Sequence, residues 1–284
     1  MTVRKLPSRP PTIPATKKMA PPPMPTKKKT FEVEPWETND GQRILIYADT
    51  GMGKTSLALL APKPVFLGLD EGGADFINPV TNELIKCIPN IEDYQDVRTV
   101  LHQPDLFTAY ETVVIDTVTV LQDWSAAHAV ATIPTEKGAM VKNLVGYGYN
   151  KGYEHLYNVM KDILTDLDRL IHQGKNVILI AQGAIHNVPN PSGEDFLRDG
   201  LRLHVDKSWD IESLYCEWCD HIFRIAYLNS FAKAKKITGT TERAVFIQPE
   251  VYFRAKSRTI HRPTAPFEST SDDSIWKILF EGYE

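Results

Sequence analysis

The chain predicts an α/β fold, with a mostly parallel central sheet carrying helices on both faces and an antiparallel hairpin near its C-terminus. Three observations predict it. Four short runs, 44–48, 64–70, 112–116 and 176–181, are apolar but for a few polar residues at their ends, as strands buried on both faces are. Stretches with helical spacing of apolar residues separate them, as parallel crossovers require. The first run passes through a glycine-containing turn, Asp49-Thr50-Gly51-Met52-Gly53, directly into an apolar helix face.

The 284 residues allow one large or two ordinary domains, and 42% hydrophobic with 24% charged residues is a globular composition. Residues 1–30 stand apart as a Pro/Lys-rich tail, and 31–284 are expected to form the folded domain. The tail's eight prolines oppose helix and sheet ladders, and its eight Lys or Arg meet no acid. The remainder is therefore acidic, at about −12, so any nucleic-acid contact on the body is expected to be local. No apolar run is long enough to span a bilayer, no secretory h-region is visible, and three cysteines suggest no disulfide framework. A cytoplasmic protein without a membrane partner is the expectation.

In chain order, the strand at 44–48 leads into a helix over 54–61, stopped by Pro62. The strand at 64–70 ends in Asp70-Glu71-Gly72-Gly73, and 84–88 can form another short strand. Helical spacing returns over 92–103, with Val97, Val100 and Leu101 on one face. The strand at 112–116 ends in Asp116, a helix over 118–131 follows, and 132–148 reads as a long loop. A long amphipathic helix covers 149–172 and stops at Gly174. After the strand at 176–181, residues 182–203 read as a second long loop, polar with Gly and Pro. A short helix is expected over 210–218. Strands at 221–228 and 244–253 flank a charged turn at 233–242, and a last helix runs from a Ser271 cap to Phe280.

The turn after the first strand ends in Gly53-Lys54-Thr55, the end of a P-loop. Backbone N–H groups at a helix N-terminus attract phosphate, and Gly51 and Gly53 let the backbone wrap closely around it. Residues 49–56, including Asp49, Thr50, Met52 and Ser56, are the candidate nucleotide-binding segment. Lys54 is placed for the β- and γ-phosphates and the Thr55 hydroxyl for Mg²⁺. The full pattern asks for Gly at position 48, where this chain has Ala48.

Other candidates also follow strands, where active residues of parallel sheets gather. Asp116 has the form of a Walker-B acid for Mg²⁺, or of a cap on the next helix. Glu71 is the first choice to activate water, with Asp70 its competitor and a turn role the plain alternative. Gln182 can touch the γ-phosphate or its water and report nucleotide state to the following loop, or be a surface residue. Lys256 and Arg258, spaced by two, can reach a neighbouring subunit's phosphate or form a solvated basic turn. Cys216 and Cys219, without a second pair or nearby His ligands, read as helix-face thiols rather than a zinc site.

The order of these parts resembles the RecA-like ATPase core, specifically the small phage-encoded AAA-type ATPases related to single-strand annealing proteins of the Sak group. The segments carrying the resemblance are the P-loop, Asp-Glu-Gly-Gly, Val-Val-Ile-Asp, Val-Ile-Leu-Ile-Ala-Gln, Cys-Asp-His-Ile-Phe-Arg-Ile and Ala-Lys-Ser-Arg, within residues 40–270. The resemblance implies an ATP- and Mg²⁺-dependent P-loop NTPase acting on single-stranded DNA in phage or prophage recombination. It implies DNA loops at 132–148 and 182–203. Tyr147, Tyr149 and Phe196, in or beside these loops, are available for stacking on bases, with core or loop packing the plain alternative. The resemblance also implies a homo-oligomeric ring or filament whose Lys256 and Arg258 complete the next subunit's site, recombination proteins as partners, and a bacterial host cytoplasm. A nucleotide kinase and a nucleotide-gated binding module with little hydrolysis are the alternatives. The first would need an Arg-rich lid, and the loop bearing Arg198 and Arg202 also carries Glu194, Asp195 and Asp199.

Overall fold

The computed structural model describes residues 40–69, 76–228, 230–233, 236–239 and 241–281. The expected tail at 1–30, Asp70-Glu71-Gly72-Gly73 and part of the charged turn at 233–242 lie outside the described residues.

Five parallel strands form the centre of a nine-stranded sheet: β1 (Arg43–Ala48), β2 (Pro64–Gly68), β3 (Thr112–Asp116), β4 (Asn176–Val188) and β6 (His221–Tyr227). They lie in the order β6-β1-β4-β3-β2, so β4 stands between the P-loop strand β1 and the strand ending in Asp116. Antiparallel strands extend it. β9 (Arg243–Phe246) pairs with β6, β11 (Thr264–Pro266) pairs with β9, and β10 (Lys256–Ser257) pairs with the start of β6. The expected C-terminal hairpin is thus β6–β9, and β7 (Ser230–Lys233) and β8 (Lys236–Gly239) form a two-stranded ribbon between its strands.

The apolar runs divide by the two-residue period of a strand. Leu45, Tyr47, Val113, Ile115, Val177 and Leu179 enter one core with α2 (Tyr94–Leu101), α3 (Val118–Thr132), α4 (Lys151–His172) and α5 (Ile211–Trp218). Ile44, Ile46, Val114, Ile178 and Ile180 enter the other with α1 (Lys54–Leu59) and α6 (Ser274–Trp276). These are the expected helices on both faces of the sheet.

Four expectations are corrected. Residues 182–203 are not a loop: β4 runs on to Val188 and turns back as β5 (Phe196–Leu201), pairing from Gly183↔Leu201 to Val188↔Phe196. The stretch at 84–88 makes only isolated bridges, Ile77↔Leu84 and Phe66↔Cys87. The strand expected over 244–253 ends at Phe246. The final helix begins at Ser274, not Ser271, and continues as a π-helical turn over Lys277–Glu281. The indole of Trp276 donates to Leu57 O at 2.8 Å and fixes that turn against α1.

Candidate nucleotide-binding site

β1 delivers the P-loop to the C-terminal ends of the parallel strands. Gly53 caps α1 with φ +97°, and Gly51 has φ +80°, in the left-handed region that glycine enters without strain. A Cβ on Gly53 would also come within 2.9 Å of the Phe267 ring. Position 48 makes no such demand. Ala48 ends β1 in register with Gln182, without positive φ, and a Cβ at the adjacent Gly183 would lie 3.3 Å from Ala48 C.

The loop borders a cavity of about 340 Å³, lined by Thr50, Gly51 and Gly53 to Ser56 of the P-loop and by Asp116, Thr117, Gln182 and Arg243 among others. The Lys54 ammonium, on a 7% exposed residue, donates to Ala48 O, Asp49 O and Gln182 Oε1, each at 3.0 Å. The Thr55 hydroxyl donates to Asp116 Oδ2 at 2.6 Å. Asp116 does not cap the next helix: Thr117 is the N-cap of α3, and its hydroxyl accepts from Val120 N. Leu69, the last described residue before Asp70, donates its N–H to Asp116 O at 2.7 Å.

Two hard oxygen donors, Thr55 Oγ1 and Asp116 Oδ2, thus meet beside a phosphate-type loop. That fits Mg²⁺, which takes one or two protein oxygens and completes its shell with phosphate and water. Among the described residues there is no cluster of three or more His, Cys, Asp or Glu able to hold a metal alone.

Gln182 is a junction. Its side chain accepts from Lys54, its N–H donates to Thr119 Oγ1 at 3.1 Å, and its carbonyl accepts from Arg202 N at 2.7 Å. Below it, the β4–β5 hairpin is held by charge. Glu212, 1% exposed, accepts from Leu201 N at 2.9 Å and pairs with Arg254 at 3.0 Å, and Asp199 pairs with Arg224 at 2.5 Å.

Lys256 and Arg258 lie at the other end of the sheet within one chain, since β10 pairs with residues of β6 that align with the start of β1. Lys256 Nζ donates to the Cys216, Glu217 and Cys219 carbonyls, closing the C-terminus of α5, and Arg258 pairs with Asp220 at 3.1 Å. Cys216 and Cys219 are free and buried, and burial pushes the Cys216 thiol up to about 12. Of the stacking candidates, Tyr147 donates its hydroxyl to Ala129 O and Ile133 O, Phe196 lies under the Arg198 guanidinium, and Tyr149 is fully exposed. Arg243 was not legible as a site residue. Its signal is tertiary, a 2.9 Å bond to Met52 O across 191 residues.

The sheet, the P-loop at its carboxyl edge and the Thr55–Asp116 pair define a P-loop NTPase of the RecA-like fold. A family model described as "AAA domain" (AAA_24) matches residues 40–259, and the chain belongs to that family. The chain is similar to the crystal structure of a KaiC-like protein from the hyperthermophilic archaeon Pyrococcus horikoshii OT3, at 13% identity and a TM-score of 0.44, over 82% of this chain and 88% of that one. No curated protein matches it. No helix among the described residues is long and apolar enough to cross a membrane.

Proposed function

We propose that the protein is a Mg²⁺-dependent ATPase of phage or prophage type, acting on single-stranded DNA in recombination or annealing. The observation that carries this reading is the contact of Lys54 with Gln182, the residue at which β4 leaves the phosphate site and enters the hairpin.

The P-loop N–H groups and Lys54 bind and orient the triphosphate. A γ-phosphate oxygen competes with Gln182 Oε1 for the Lys54 ammonium, so occupancy alters the hydrogen bonding of Gln182. Thr55 and Asp116 would hold Mg²⁺, which when bound spreads positive charge over the β- and γ-phosphate oxygens. Glu71 is assigned to draw the proton from the attacking water, with Asp70 beside it as the competing carboxylate. The exposed Arg202 and the Phe196–Arg198 pair are the hairpin's candidates for phosphate contact and base stacking.

In a ring or filament each subunit would present the same face to the next one's site. Arg258, whose side chain is 62% exposed, is the stronger candidate to reach a neighbour's phosphates, because Lys256 is engaged with α5. A bacterial host cytoplasm and phage recombination proteins belong to the same reading.

The test is ATP turnover by the full chain with and without single-stranded DNA across a range of salt. Stimulation that weakens as salt rises is the expected result. Turnover unchanged by DNA at every salt concentration overturns the DNA-dependent part and leaves an ATPase.

A further inference from the structure

The cavity has a cation that no P-loop motif supplies. Arg243 opens β9, opposite Tyr227 of β6, so it approaches the loop from the side of β1 away from Asp116 and Gln182. Its guanidinium is fixed on two sides. Nη1 donates to Met52 O at 2.9 Å, and Cζ lies 4.9 Å from the centre of the fully buried Phe267 ring. The backbone reinforces the pair, because Phe267 N donates to Arg243 O. A guanidinium carries five N–H donors in a planar fork. Among the described residues Met52 O is the acceptor it has, and no carboxylate pairs with it. A stacked arginine with spare donors, bordering the same cavity as Lys54 and Thr55, suits two-pronged binding of phosphate oxygens.

We propose that Arg243 is a phosphate-binding residue acting within its own chain, contacting the β- or γ-phosphate of a bound nucleoside di- or triphosphate. This rests on the P-loop nucleotide reading and adds to it. Lys54, with any metal that Thr55 and Asp116 would hold, would offset the phosphate charge from one side. Arg243 supplies charge from the other, without a neighbouring subunit. It also ties the C-terminal hairpin to the phosphate loop, so a nucleotide would be gripped by both halves of the sheet.

The experiment is a titration of the full chain with AMP, ADP and ATP in Mg²⁺, read by displacement of a fluorescent nucleotide. The variants are Arg243→Gln, Arg243→Lys, Arg243→Ala and Lys54→Ala, with melting temperatures followed in parallel. Gln can still donate to Met52 O but carries no charge, which separates phosphate binding from simple support of the loop. Arg243→Gln and Arg243→Ala are expected to weaken ADP and ATP about ten- to a hundredfold and to leave AMP within about twofold. Arg243→Lys is expected to recover part of the loss. Wild-type affinity in Arg243→Gln, or equal weakening of all three nucleotides, overturns the assignment alone. Wild-type protein that binds no nucleotide, or Lys54→Ala protein that binds as wild type does, overturns the P-loop reading and this assignment with it.

Discussion

The two ends of the central sheet use the same kinds of residue to opposite effect. At the amino ends of the strands, charges meet partners of their own chain. Arg43 pairs with Asp168 and Asp220, Arg258 shares Asp220, Trp218 donates to Asp168, and Lys256 closes α5. At the carboxyl ends, the described contacts of Lys54 and Arg243 are to backbone carbonyls and an amide around a cavity, while Asp199–Arg224 and Glu212–Arg254 hold the hairpin beyond it. Neutral acceptors are displaced by phosphate far more readily than a carboxylate is, since a bond between two charged groups is about twice as strong. Arg43 and Lys256 are satisfied by folding, whereas the described contacts of Lys54 and Arg243 are ones a phosphate can replace. That contrast, rather than the count of charges, separates a structural ion network from a site.

The contrast is most directly broken at Lys54. Lys54→Ala should reduce ATP turnover to background while the melting temperature stays within a few degrees of wild type, measured by a coupled phosphate assay and thermal unfolding. A collapse of stability would make Lys54 a structural cation like those at the far end. Asp220→Ala should do the converse. It removes the acceptor shared by Arg43 and Arg258 and by the Arg43 N–H. The expected cost is about 2–4 kcal/mol in denaturant unfolding, with nucleotide affinity unchanged.

Acid should weaken the far end next. His221 is fully buried between Ser257 and Gln42, and burial lowers its pKa to about 4. The unfolded chain protonates this imidazole below about pH 6.5, whereas the folded chain holds it neutral until about pH 4. The stability present above pH 6.5 is therefore lost as pH falls toward 4, by about 2 kcal/mol at pH 5. Denaturant titrations at pH 7.5 and 5 should show the drop, and His221→Gln should flatten it. The smallest expected effect is on ATP affinity in Gln182→Ala, about threefold or less for one exchanged hydrogen bond. Stimulation by single-stranded DNA should nevertheless disappear, and retained stimulation would remove Gln182 from the coupling role.

What the sequence disclosed follows the range of each interaction. The P-loop is local: eight consecutive residues carry the glycines, the lysine and the threonine. Strands buried on both faces announce themselves because every position must be apolar. The β4–β5 hairpin was hidden because Gln182, His186 and Asn187 dilute the apolar alternation, while Pro189 and Pro191 suggest a loop. The pairing is decided by Glu212, Arg224 and Arg254, which are distant in sequence. Arg243 was hidden for the same reason. Nothing near it in the chain distinguishes it from a surface arginine, and only the return of β9 beside β6 brings it over Met52. The reading of Lys256 and Arg258 rested on their spacing and on the resemblance, neither of which shows their contacts within the chain. Those contacts, the carbonyls at the end of α5 and Asp220, come from segments that only the fold brings beside β10.

β4 is a single strand with memberships in two ladders. Its pairing with β1 ends at Ala48↔Gln182, and its pairing with β5 starts at Gly183↔Leu201, with no residue between. The hairpin's registration is therefore inherited from the phosphate loop. One residue inserted after Gln182 would invert the hairpin's inner and outer faces, turning Ile185 and Asn187 toward the protein and His186 away from Leu201 O. The segment tolerates changes of side chain far better than changes of length, and two residues, inserted as a pair, would restore the faces that one destroys.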